Sequence, residues 1–358
     1  MAHTMLSFEQ VKTIAGKYSD IVIKESASGR MLFTIYGGRL LGMWPKADGN
    51  NPLWVYPDLD ETMKNGQWMI GGERLWIAPE RRFFYENPRD FDGFHVPAEI
   101  DPGEYVGTAD LTFESVFSLL DYGRNETFDG SLCKRTFEII DDPYAASIPY
   151  AGVRITDTVS IPGANLGVCG WSLAQVYTCG PDMPATALFP AKTGSAVLSY
   201  FAPIPPDRAE VLDGYARFKI DAHAVYKMAL RPEDMVMQNP CKAVYLTPSP
   251  DGKSWMCLIK RSDDMPRSQD ECVDEARDNP NGPKGAIQAY NNGPDFAWPG
   301  SEFPYFGEIE LQMKKSSLNG GKMISVSTHE LLAYEGSKDA VLALAAQALD
   351  IASEPKLY

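Results

Sequence analysis

Gly71-Gly72-Glu73-Arg74-Leu75-Trp76-Ile77-Ala78-Pro79-Glu80, with Arg81 and Arg82 just beyond, is the run from which this chain is best read. Neither glycine carries a Cβ, so the backbone is free to turn sharply there or to approach a neighbour closely. The residues that follow join a charged pair, Glu73 and Arg74, to an aromatic ring, Trp76. Arginine offers a planar fork of donors and the ring an apolar face, a pairing suited to a polar, ring-shaped ligand such as a sugar. The plainer alternative is a hairpin in which Arg74 makes a structural ion pair and Trp76 is core.

Outward from this run the pattern has period two. Strands are expected at 21–24, 31–36, 39–44, 105–119, 127–140, 152–161, 167–178 and 195–202. More follow at 216–227, 242–247, 254–261, 286–291, 305–314 and 322–329. Strands at this density, broken by 30 glycines and 27 prolines, predict an all-β sandwich. No βαβ rhythm and no blade-like repeat is present, which excludes doubly wound, barrel and propeller architectures. A short amphipathic helix is expected at 7–18, capped by Ser7, and a second at 337–353, capped by Ser337. Three stretches, 46–67, 81–103 and 263–284, read as ordered excursions of the kind that line binding sites. No Gly/Ser or Pro-rich linker divides residues 1–358, so a single domain is expected.

The formal charge of −15 opposes nucleic acid and anionic membranes, and no basic run offsets it. Neither partner is expected, and the oligomeric state is not legible. The six cysteines, Cys133, Cys169, Cys179, Cys241, Cys257 and Cys272, show no metal spacing and read as reduced, mainly buried thiols. No stretch has the length of a membrane span or a signal-peptide core. A cytoplasmic protein is expected, or a secreted or periplasmic one if Met1-Ala2-His3-Thr4 replaces a removed signal peptide. No cofactor is expected. No metal is either, although calcium held by loop carboxylates stays open.

Gly37-Gly38-Arg39-Leu40-Leu41-Gly42, then Gly71-Gly72-Glu73-Arg74-Leu75-Trp76, then Gly307-Glu308-Ile309-Glu310-Leu311-Gln312 follow one another in an order and spacing that resembles the galactose mutarotase-like superfamily. These are the aldose 1-epimerases and their uncharacterised bacterial relatives, here a branch with a GGxRxW motif. The resemblance implies one large antiparallel β-supersandwich that binds a sugar on a concave sheet face. It also implies a glutamate that takes the C1 hydroxyl proton while a histidine protonates the ring oxygen. Glu310-Leu311-Gln312 matches the family's late-strand E-x-Q, which makes Glu310 the candidate base. On this strand Glu308, Glu310 and Gln312 share one face and Ile309 and Leu311 the other, as a solvated sheet face also would.

The match departs from the family at the histidine. The stretch Cys169-Gly170-Trp171-Ser172-Leu173-Ala174-Gln175-Val176 has none. Trp171 and Gln175 there are expected to stack on and hydrogen-bond a sugar. His95 is the first choice, in a loop after the arginine cluster; a surface hydrogen bond is its plain alternative. His329, on a strand expected beside that of Glu310, and His223 are the others. Arg74, with His95, is expected to orient the sugar, and Trp76 or Trp171 to stack on it. Glu73, Arg81, Glu308 and Gln312 complete the expected binding set. If two of Arg74, Arg81, Arg82 and Arg89 pointed inward, an acidic sugar would fit; the alternative is ion pairing with Glu73, Glu80, Glu86 and Asp90.

An aldose 1-epimerase-like enzyme acting on a small carbohydrate is therefore the leading reading. A glycoside hydrolase using Glu310 with Glu73, Glu308 or Asp92 is a second, and a lyase with Tyr85, Tyr290 or Tyr305 as base belongs with it. A non-catalytic carbohydrate-binding protein is the third.

Overall fold

The computed structural model describes residues 5–26, 28–238, 240–277, 279–294 and 306–358. Two antiparallel sheets carry the fold, as the all-β expectation required. The first has nine strands in the spatial order Ile21–Glu25, Arg30–Thr34, Arg39–Trp44, Glu73–Ala78, Cys169–Tyr177, Phe306–Gln312, Ile287–Asn291, Tyr226–Leu230 and Leu198–Ser199. The second, of eleven strands, is built around the long strands Trp255–Ser262, Lys322–Gly336, Tyr150–Pro162 and Glu126–Ile139.

Alternation along Glu73–Ala78 positions everything that follows. Glu73, Leu75 and Ile77 point toward the second sheet, and Arg74 and Trp76 point away from it. The same parity runs across the sheet. Arg74 is paired with Leu173, Leu173 with Glu310, and Glu310 with Gln288; Trp76 is paired with Trp171, and Trp171 with Gln312. Glu308 stands beside Gln175 and Tyr290, and Tyr290 beside Lys227. One face thus supplies apolar side chains such as Leu75, Ile77, Ile309 and Leu311 to the core between the sheets, where they meet Val153, Ile155 and Leu331. The other face is polar and aromatic.

Both helices form where capping predicts. Ser7 caps Phe8–Tyr18 in a reciprocal capping box with Gln10, and Ser337 caps Lys338–Leu349. The second helix stops short of the expected residue 353 because Asp350 turns left-handed at φ 56°. It packs Val341, Leu342 and Ala345 on Val244, Ile259 and Leu332 of the second sheet. Several strands differ from expectation. The stretch 105–119 divides into Val106–Ala109 and Thr112–Asp121 at a turn where Leu111 has φ 51°. The stretch 216–227 breaks likewise, at Ala222 with φ 52°, into Tyr215–Ile220 and Tyr226–Leu230. Only Leu198–Ser199 survives of 195–202, and Ala185–Pro190 is a strand that periodicity missed. Residue 305, the expected start of the Glu310 strand and the site of the lyase candidate Tyr305, lies outside the described residues. All six cysteines are free thiols. Among the described residues no helix is long and apolar enough to cross a membrane.

Candidate active site

Glu310 lies at the centre of the polar face and is fully buried. Its Oε2 accepts the indole N–H of Trp171 at 2.8 Å and lies 2.9 Å from Lys227 Nζ. Its Oε1 has no hydrogen-bond partner among the described residues. One oxygen is locked and the other is left to accept a proton, which is the geometry a general base requires. Burial opposes charge on Lys227, but Glu310, Glu80 and Asp274 outweigh it and hold the ammonium above its usual range.

Two residues along the strand, Glu308 Oε1 accepts from Arg74 Nη2 at 2.8 Å. Burial and the neighbouring Glu310 raise the Glu308 carboxyl above its usual value, against Arg74 and Lys227. The Arg74 guanidinium stacks at 4.1 Å over Trp76 and 5.0 Å over Trp68, and its Nε and Nη1 have no acceptor among the described residues. The face thus places two unpartnered nitrogens of Arg74 near an unpartnered carboxylate oxygen of Glu310, all buried.

On the other side of Glu310, Gln288 Nε2 and Gln312 Nε2 each reach Asp274 Oδ2 at 3.4 Å, and Gln288 Oε1 is unpartnered. Asp274 Oδ1 accepts the backbone N–H of Glu80 at 3.2 Å. Two of the three sequence excursions reach this face, and the third ends just short of it. Residues 263–284 supply Asp274, residues 81–103 supply Asp101, which accepts the Trp76 N–H at 2.9 Å, and Trp68 follows residue 67 directly. Among the described residues no group of His, Cys, Asp and Glu side chains is arranged to hold a metal ion.

The structure therefore brings together Arg74, Trp76, Trp171, Gln175, Glu308, Glu310 and Gln312. It separates the rest. Glu73 points the opposite way, into the space between the sheets, where its carboxylate meets Arg135 at 2.6 Å, Ser172 Oγ at 2.5 Å and His329 Nε2 at 3.2 Å. His329 belongs to the second sheet, not to a strand beside Glu310, because Lys322–Gly336 pairs with Tyr150–Pro162 and Trp255–Ser262. His95 bonds through Nε2 to the Tyr122 hydroxyl at 3.0 Å on the edge hairpin, and His223 is exposed in the 221–225 turn. Arg81 faces Glu275 at 2.9 Å and the carbonyl of Pro88. Arg82 pairs with Asp121, so the cluster's partners are distant in sequence rather than the local acids expected. Asp92 is exposed on a short hairpin.

The tryptophans are in place but not as stacking platforms. Trp76 and Trp171 are 4% and 1% exposed, and their ring faces carry Arg74 and, at 4.4 Å, Lys227. They hold carboxylates through their N–H groups instead. Sequence reading missed Lys227, Asp274 and Gln288. The polar–apolar alternation Gln288-Ala289-Tyr290 was the available signal for the last.

No family model matches the chain, and no curated protein matches it. Solved structures similar to it are of the kind the sequence resemblance named. One is a galactose mutarotase-like protein from Lactobacillus casei, 11% identical, with 88% of this chain and 99% of that one covered at a TM-score of 0.44. A galactose mutarotase-like protein from Clostridium acetobutylicum is 9% identical over 90% of this chain and 99% of that one, at 0.42. A galactose mutarotase related enzyme from Lactobacillus acidophilus is 8% identical over 89% and 99%, at 0.40.

Proposed function

We propose that this chain interconverts the anomers of a free aldose by acid/base catalysis on the polar face of the first sheet, with Glu310 as the base. The observation that carries the reading is the divided carboxylate of Glu310: Oε2 fixed by Trp171 and Lys227, Oε1 buried and unpartnered. A sugar hydroxyl both donates and accepts. The face offers it carboxylate and amide acceptors at Glu310 and Gln288 and guanidinium donors at Arg74, all within one sheet register. Glu310 takes the C1 hydroxyl proton as the ring C1–O bond breaks, and returns it after the ring recloses on the other side of C1. Arg74 and Gln288 orient the ring.

One-dimensional NMR of freshly dissolved α-D-glucopyranose and α-D-galactopyranose tests this directly. Catalysed α-to-β exchange that falls at least about 100-fold in Glu310→Gln, with the fold retained, is the expected result. Exchange at the uncatalysed rate with every aldose tried overturns it.

A further inference from the structure

The proposed reaction needs a second proton transfer, to the ring oxygen, and no histidine of the described residues lies on this face. What lies there instead is a second pair of carboxyls. Glu80 follows Pro79 at the end of the Arg74 strand, and its backbone N–H is fastened to Asp274. Asp274, 1% exposed, is itself fastened to Gln288 and Gln312, the glutamines that flank Glu310 across and along the sheet. The buried, unpartnered Gln288 Oε1 belongs to the same amide that holds Asp274, which makes this end of the face ligand-directed in its own right. Glu80 keeps accessible surface where Asp274 has almost none. Of these two residues Glu80 is the partly exposed one, at the end of the Arg74 strand where the polar face meets its edge.

We propose that Glu80, whose backbone is tied to Asp274 at the end of the Arg74 strand, is the acid that protonates the ring oxygen. The inference rests on the anomer-exchange reading and deepens it. As Glu310 removes the C1 hydroxyl proton, the C1–O5 bond breaks and its electron pair goes to O5, which takes the proton from Glu80. The open-chain aldehyde then turns about C1–C2. Glu80 carboxylate recovers its proton from the O5 hydroxyl as O5 attacks C1, and Glu310 returns its proton to the carbonyl oxygen. No proton is gained or lost over the cycle. The charged groups coupled to Glu80 are Lys227, Asp274, Glu310 and Glu308, with Tyr85 close by. Enclosure by protein raises the Glu80 carboxyl to about 8; Lys227 opposes this, and the three acids add to it. Glu80 is thus a protonated donor at neutral pH, and Asp274, whose own carboxyl burial raises above the usual value, is one of the acids that push it that way.

The test measures exchange rate against pH for wild type, Glu80→Gln, Glu80→Asp, Asp274→Asn and Glu310→Gln, with sugar binding followed separately by saturation-transfer NMR. Wild-type kcat should fall as pH rises past about 8. Glu80→Gln should lose about 100-fold or more in kcat while still binding sugar, with that alkaline limb gone. Glu80→Asp should recover part of the rate. Asp274→Asn removes a negative neighbour, so its alkaline limb should move to lower pH. A Glu80→Gln enzyme with wild-type kcat and limb, while Glu310→Gln is inactive, overturns the inference and leaves the exchange reading standing. An unmoved limb in Asp274→Asn overturns it as well, should Glu80→Gln fail to fold. Wild type that exchanges no aldose overturns both.

Discussion

Arg74 illustrates how one side chain on this face selects among ligands. Its guanidinium is paired with Glu308, and the only other cation on the described face, Lys227, is paired with Glu310. Against these two stand the carboxyls of Glu308, Glu310 and Asp274, with that of Glu80 protonated at neutral pH. Arg81 and Arg82, which would have supplied further positive charge, turn outward to Glu275 and Asp121, and Arg89 is exposed. The condition for an acidic sugar, two inward arginines, is therefore not met. Arg74 still presents two unpartnered N–H groups, but their charge is offset, so they suit hydroxyl oxygens better than a carboxylate. A neutral aldose should be exchanged with at least about 10-fold higher kcat/KM than the corresponding uronate, because a second carboxylate placed in a poorly solvated acidic site loses about 1.4 kcal/mol or more. Exchange rates for glucose and glucuronate under identical conditions check this, and equal or reversed values would show that a cation reaches the face from elsewhere. Removing Arg74 is a different experiment. Arg74→Met leaves Glu308 buried without its partner and should cost about 3–5 kcal/mol of stability by chemical denaturation.

The strand that carries Arg74 depends on the two glycines before it. Gly71 and Gly72 have φ 95° and 80°, and a Cβ on either would overlap backbone: the Trp54 carbonyl oxygen for Gly71, the Leu40 carbonyl oxygen for Gly72. This close approach lets Gly72 N–H bond Trp54 O at 2.8 Å while Gln175 N–H bonds Gly72 O at 3.0 Å. The excursion around residue 54 is thereby seated beside the Arg74 strand. Gly72→Ala should cost at least about 1–3 kcal/mol through the left-handed backbone alone, and displacement of Leu40 adds to it. Thermal unfolding checks the loss; a variant as stable as wild type would mean the turn relaxes freely. The adjacent glycines were legible in the sequence for this reason, and so was the period-two alternation that put Glu308, Glu310 and Gln312 together. What alternation cannot give is which face looks outward. Glu73 and Arg74 are neighbours in sequence with opposite fates, and the sequence offers charge at both. Nor does it pair distant elements. Asp274 lies in a polar stretch whose contact with Gln288 and Gln312 exists only once the first sheet has formed, and the late strands of Glu310 and His329, close in sequence, belong to different sheets.

Between the sheets the molecule seals a group of charges that the proposed chemistry does not use. Glu73, Arg135, Asp157, Lys260 and His329 are all 1% exposed or less. Arg135 bridges Glu73 at 2.6 Å and Asp157 at 2.8 Å, while Lys260 Nζ lies 3.7 Å from Glu73 with no hydrogen-bond partner among the described residues. The carboxyl of Glu73 would be raised by its burial, but Arg135, His329 and Lys260 hold it well below the usual range. Its contribution to stability is therefore present above the unfolded value near 4.5 and is lost as pH falls below that. Lys260 has the opposite sense. Burial lowers it from 10.5 to about 8, Glu73 opposing and Arg135 adding. In the interval between those values the unfolded chain holds a proton that the folded chain has released. Stability from this residue therefore rises as pH goes from about 8 toward 10.5, and the penalty of burying the ammonium is at its full value below about 8. Lys260→Met removes the penalty and leaves Glu73 with Arg135, Ser172 and His329 as partners. At pH 7 the variant should be at least as stable as wild type, and its advantage should shrink steadily between pH 8 and pH 10. Paired denaturation curves across that range isolate Lys260, because every other group titrates in both proteins. A variant less stable at pH 7, or a difference that does not change with pH, would mean that Lys260 is charged and well paired in the folded state, and that the two sheets are joined by it rather than strained by it.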